Sequence, residues 1–138
     1  MATTKREVKQ SEVTGVLVKA LERFEGGKRW TRGTLYDKAD DTVCALGAIG
    51  EVCGDAEEGF STVPEGREAV KLLASVIRVQ GNAAYDTSSY YDAEDKVPEW
   101  NDERKSFRTI KNGFCRAVKK SMELEKSLKG KRKKKEKE

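Results

Sequence analysis

Histidine is absent from the 138 residues, and that absence excludes more chemistry than any other feature of the chain. Histidine is the commonest general base and a frequent metal ligand, so Ser-His-Asp and Cys-His catalysis are ruled out. Cysteine is scarce and odd in number: Cys44, Cys53 and Cys115 contain no Cys-x-x-Cys pair, which argues against a disulfide framework and a zinc ribbon and reads as reduced, buried thiols. No metal site or cofactor is expected. There is no apolar run near the roughly 20 residues a membrane span needs, and no apolar segment behind the charged start Met1–Gln10, so the expectation is a cytoplasmic protein without a membrane partner. Aromatics are few, at 7%, and the 36% hydrophobic content is lean beside 38% charged residues. Such a balance suits one small core under a charged surface, with part of the chain outside it.

Charge is abundant but unevenly placed. Residues 1–100 carry 13 basic and 18 acidic side chains, net −5, while residues 101–138 carry 15 and 6, net +9. A chain with two electrical ends can orient on a polyanion, or can simply keep its basic end solvated.

The apolar spacing predicts an all-α fold, a compact bundle of about four helices. Ser11 is placed to cap a first helix whose face is Val13, Val16, Leu17, Ala20, Leu21 and Phe24, stopped by Gly26 and Gly27. Residues 28–41 read as a connector carrying Trp30. Residues 42–53 are small or apolar nearly all round, which predicts a buried central helix capped by Asp41 and ended by Gly54. Gly47, Ala48 and Gly50 lack bulk, so neighbouring elements can approach closely there. Thr62-Val-Pro-Glu65 matches a capping box for a third helix running to about Val79. Residues 81–99 show no period and read as a long acidic loop rich in tyrosine. Phe107, Ile110, Phe114, Ala117, Val118 and Met122 predict a last amphipathic helix, with Asp102, Ser106 or Thr109 as its cap. The expected organisation is a flexible segment 1–10, a helical domain 11–126 and a disordered polybasic tail 127–138.

Several residues could carry function. Cys44 is expected in the first turn of the central helix, where the helix dipole would lower its pKa and could make it a nucleophile; the competing reading is a small core residue. Asn101 and Asp102, between Trp100 and the last helix, could present an amide and a carboxylate to a ligand or could satisfy backbone donors at a helix start. Trp30 and Trp100 would add apolar walls to such a site, and Tyr90 and Tyr91 supply further contact area in the loop. Lys131, Arg132, Lys133, Lys134 and Lys135 could neutralise phosphates without reading sequence, and no aromatics are interleaved for stacking on single strands. The glycines of the central helix have the wrong spacing for a nucleotide fingerprint. The acidic stretch Asp92, Glu94 and Asp95 lacks the glycine and terminal glutamate of a calcium loop.

Three blocks stand in order: Trp30 with Gly33, Cys44-Ala45-Leu46-Gly47-Ala48-Ile49, and Trp100-Asn101-Asp102 followed by Arg108-Thr109 and Arg116-Ala117. Together they resemble an uncharacterised domain-of-unknown-function family of small bacterial and bacteriophage proteins, over roughly residues 11–120. The resemblance implies a fold and a site but no activity. The reading that follows is a small non-enzymatic binding or accessory protein of phage or prophage type, acting on an unknown protein or small ligand. Its alternatives are a sequence-nonspecific nucleic-acid binder using the last helix and tail, and a thiol-dependent enzyme with Cys44 as nucleophile.

Overall fold

The computed structural model describes residues 8–80 and 85–136, with the side chains of residues 129–136 left out. Helix α1 (Gln10–Arg23) is followed by a single 3-10 turn at Glu25–Gly27, in which Gly26 and Gly27 take positive φ values of 72° and 106°. Two short antiparallel strands, β1 (Tyr36–Asp37) and β2 (Thr42–Val43), pair Tyr36 with Val43 and Asp37 with Thr42. Then come α2 (Ala45–Cys53), α3 (Gly59–Thr62), α4 (Pro64–Val76), α5 (Tyr90–Glu103) and α6 (Phe107–Glu136).

The all-α expectation holds, with six helices among the described residues and one minimal hairpin. The first helix begins two residues earlier than expected, at Gln10, with Lys9 rather than Ser11 in the capping position. Helix α2 is the central one: Ala45 to Gly50 are all buried, and it touches α1, α3, α4 and α5. Gly47 is required by packing, because a Cβ there would overlap the backbone carbonyl oxygen of Leu35. Around α2 the core is closed by Leu17, Phe24, Leu73, Val97, Trp100, Ile110 and Phe114, all with almost no exposed surface. Phe24 meets Phe107 and Phe114 edge-on at 5.2 and 5.6 Å between ring centres. Each large apolar side chain buried in this way contributes roughly 1.5–3 kcal/mol.

Four expectations are corrected. The central helix starts at Ala45 rather than Thr42, because Thr42 and Val43 are drawn into the hairpin and the N-cap is Cys44, not Asp41. The Thr62 capping box is not formed: Val63 precedes α4 without a side-chain cap, and α4 ends at Val76. Pro64 already occupies the first helical position, where its missing N–H costs nothing.

The segment 81–99 is not one long loop, since α5 begins at Tyr90; residues 81–84 lie outside the described part. Tyr90, Ala93, Val97 and Trp100 recur at three and four residues and are buried, while acidic residues and Pro98 on the same helix mask that period. The basic end, finally, is not a separate tail: α6 continues through Glu136. Lys, Arg and Glu are good helix formers, and extending an existing helix avoids the cost of nucleation. The expected flexible start falls largely on residues 1–7, outside the described part, and residues 137–138 lie outside it as well. Among the described residues no helix is long and apolar enough to cross a membrane.

Candidate functional site

The three sequence blocks meet at the C-terminal end of α5. The Asn101 side chain is fully buried and spends both halves of its amide on the protein. Its Oδ1 accepts from the Trp30 indole Nε1–H at 2.9 Å and from the backbone N–H of Ala45 at 2.9 Å. Its Nδ2 donates to the carbonyl of Thr31 at 3.0 Å and, more weakly, to Asp102 Oδ1 at 3.3 Å. One side chain therefore joins the Trp30 segment, the start of α2 and the end of α5. This is the structural alternative for Asn101, with nothing of the amide left to offer a ligand.

Trp100 is likewise withdrawn. Its ring is 1% exposed and lies so close to α6 that a Cβ on Gly113 would stand 2.5 Å from it. Trp30 is half-buried, tilted against Phe107 at 6.2 Å between ring centres, and its strand-like contact with Val43 brings the connector onto β2. The two tryptophans thus bracket the Asn101 junction without facing each other across an open crevice.

Asp102 remains exposed, with Oδ1 accepting from the backbone N–H of Gly33 at 2.8 Å. A positive φ of 84° at Gly33 turns that N–H toward the carboxylate, and no Cβ is present to obstruct it. Beside Asp102 opens a cleft of about 360 Å³ between the 33–35 turn and α5, lined by Leu35, Leu46, Phe60, Pro98, Cys44 and the carboxyl side chains of Glu94 and Asp95. The sequence singled out Asp102 and Cys44 separately, but missed the Phe60 wall from α3 and the Glu94/Asp95 wall, which the helical register of α5 brings into line. Tyr90 and Tyr91 do not line the cleft: Tyr90 is buried, with Arg67 4.4 Å above its ring, and Tyr91 is exposed.

Of the two readings offered for Cys44 the structure favours the small core residue, and the expectation that all three thiols are buried is corrected at Cys115, which is exposed. Cys44 Sγ caps α2 by accepting from the Gly47 N–H at 3.3 Å, the helix-terminus contact that would favour a thiolate. Burial outweighs it: Cys44 is 2% exposed, and desolvation pushes its pKa up to about 11. At neutral pH it is a protonated core thiol rather than a nucleophile. Cys53 is also raised to about 11 by burial, while Cys115 is exposed on α6. Among the described residues no cluster of His, Cys, Asp or Glu could hold a metal ion.

A second feature was not singled out in the connector. Arg29 reaches Glu51 through Nη1 at 3.1 Å and Nη2 at 2.8 Å, Asp41 through Nη2 at 3.0 Å, and the carbonyls of Arg23 and Asp41 at 2.9 Å each. This two-pronged pairing raises the Arg29 pKa further and clamps the hairpin to α1 and α2. Its role is structural, because every donor group faces an internal acceptor.

The remaining candidate is α6 itself. Over residues 107–128 its exposed side chains include Arg108, Lys111, Arg116, Lys119, Lys120 and Lys126, against Glu123 as the one exposed acid. Arg116 and Lys120 also reach α4, at the Val76 carbonyl and the Ser75 hydroxyl. Lys131, Arg132, Lys133, Lys134 and Lys135 continue the same helical backbone, their side chains lying outside the described part. With 30 residues the helix is roughly 45 Å long.

The model of the Family of unknown function (DUF6197) matches residues 8–110 of the chain. Neither a curated protein sequence nor a solved structure matches it. Most of α6, from Lys111 onward, lies beyond the matched span.

Proposed function

We propose that this chain, which belongs to that family, is a cytoplasmic accessory protein of phage or prophage type that binds nucleic acid without reading its sequence, through the solvent side of α6. The observation that carries the reading is the charge of that side: six exposed basic residues to one exposed acid on a single helix, with six more basic residues in the following turns. A rigid helix holds these charges in fixed order along a phosphate backbone, where a flexible tail would have to lose entropy on binding. Residues 1–100 are net negative, so repulsion from the same polyanion would turn α6 toward it.

The test is fluorescence anisotropy with duplexes of unrelated sequence over a range of salt. Affinity should be alike for all duplexes and should fall linearly with log salt, each phosphate contact contributing a slope of roughly −0.9. Replacing Arg108, Lys111 and Arg116 by Gln should reduce that slope by up to about 3, and neutralising residues 131–135 should reduce it further. Absence of binding at low salt, or an unchanged slope in both variants, would remove the proposal.

The cleft beside Asp102 supports a second reading, a small ligand held by the 33–35 turn and α5. Its apolar walls and three carboxylates favour a cationic, partly apolar molecule over an anion. Asp102→Asn should then abolish such binding while leaving nucleic-acid affinity unchanged.

A further inference from the structure

Between α1 and α6 runs an apolar groove of about 580 Å³, formed by Val18 and Leu21 on one helix and Cys115, Val118 and Met122 on the other. Val18 is 37% and Met122 49% exposed. The groove stands apart from the Asn101 junction and from the Asp102 cleft. Its rim explains which partner it fits. Glu22 and Glu123 stand with Lys119 and Lys126, two carboxylates and two ammonium groups, so the face is electrically neutral on the most basic element of the chain. Glu123 is the one exposed acid among the described side chains of α6, and it lies on this rim.

A neutral face carrying equal numbers of both charges is what a two-fold contact needs, because the same patch must complement itself. A nucleic acid is met better by the basic side chains of α6 outside this groove, and an acidic or basic protein partner would leave half of the rim opposed by like charge. Gly15 adds a separate observation. It lies inside α1, one turn before Val18, and a Cβ there would meet nothing within 4 Å. Glycine at an interior helix position costs roughly 0.5–1 kcal/mol relative to alanine, and none of the described neighbours requires it. A second helix approaching α1 closely would.

We infer that this groove is a homodimer interface in which two copies of the chain pack α1 and α6 against one another about a two-fold axis. The face is limited to the 14 residues of α1 alongside α6, about 21 Å in length, which is small for an obligate contact. The dimer is therefore expected to exchange with monomer and to depend on concentration.

The experiment is sedimentation velocity of the full chain, without nucleic acid, from low to high micromolar concentration. A shift from monomer to dimer is expected; a monomer throughout overturns the inference. Met122→Glu, at a half-exposed position that folding tolerates, should weaken association by roughly tenfold or more, and retention of the wild-type constant would also overturn it.

A variant with the whole rim inverted, Glu22→Lys, Glu123→Lys, Lys119→Glu and Lys126→Glu, supplies the arm specific to a two-fold contact. It should still self-associate but should not mix with wild type, since like charges then face each other. Free mixing, or loss of self-association in a variant whose circular dichroism shows it folded, would assign the groove to a different occupant. These readouts omit nucleic acid, so their outcome is separate from that of the α6 binding test.

Discussion

Asn101 was singled out in the sequence beside Trp100 and Asp102, and the structure gives it a different task from the one its polarity suggested. Asn and Asp next to an aromatic residue look the same from sequence whether they face a ligand or close a backbone gap, because the deciding partners, Trp30, Thr31 and Ala45, are some 56 to 71 residues away. Asn101→Ala should therefore destabilise the fold by about 2–4 kcal/mol, read in urea unfolding, since it leaves an indole N–H, a buried amide N–H and a carbonyl without a partner. A loss below 1 kcal/mol, with the fold unchanged, would mean that water replaces the amide and the junction is looser than described. Cys44 follows the same logic. Its thiol caps a helix, but the cap is buried, so in the folded protein iodoacetamide at pH 7.5 should modify Cys115 first and Cys44 only on unfolding. Faster labelling of Cys44 than of Cys115 would restore the nucleophile reading.

At the scale of elements, periodicity sufficed where one helical face is apolar and the other polar. That is why α1, α4 and the first half of α6 were legible from Val13, Ala69 and Phe107 onward. It failed for α5, whose buried stripe of Tyr90, Ala93, Val97 and Trp100 is diluted by four carboxyl residues upstream of Asn101 and by Pro98 in the helix interior. Two-residue strands leave no alternation to read, so β1 and β2 were invisible, and with them the reason why α2 begins only at Ala45. The packing of α5 on α6 gives this account a test. Gly113 touches the edge of the Trp100 ring, so Gly113→Ala, normally a gain in helix propensity, should instead cost about 1–3 kcal/mol in thermal or urea unfolding. An increase in stability would show that the Trp100 ring shifts freely and that the α5–α6 contact is not tightly packed. The same change at Gly15, where an added Cβ would meet no described atom within 4 Å, should stabilise the monomer by a few tenths to one kcal/mol, so the two glycines are expected to respond with opposite sign.

For the whole molecule, composition and structure combine into an expectation about pH. With no histidine, no side chain with an ordinary pKa titrates between about pH 6 and 8, and stability should be nearly flat there. The groups that folding perturbs lie higher. Cys44 is raised from 9.0 to about 11 by burial. Tyr85 is raised to about 12 by its hydrogen bond to Glu99, and Tyr90 upward by desolvation. Each is held in its neutral form by the fold, so above pH 9 the unfolded chain releases protons that the folded chain retains. The unfolded state then binds fewer protons, and stability falls as pH rises. For Cys44 the contribution is present in full below about pH 9 and is lost progressively until pH 11, amounting to about 3 kcal/mol, an order-of-magnitude figure. Urea midpoints measured from pH 6 to 10.5 should therefore show a plateau followed by a decline, and Cys44→Ala, though less stable at neutral pH, should decline less steeply because its share of the proton linkage is gone. A decline of equal slope in the two proteins would place the alkaline sensitivity on Cys53 and on the tyrosines of α5 and its approach. A plateau reaching past pH 10 would instead mean that Cys44 ionises in the folded state at its ordinary pKa, which the closed environment at the N-terminus of α2 does not allow.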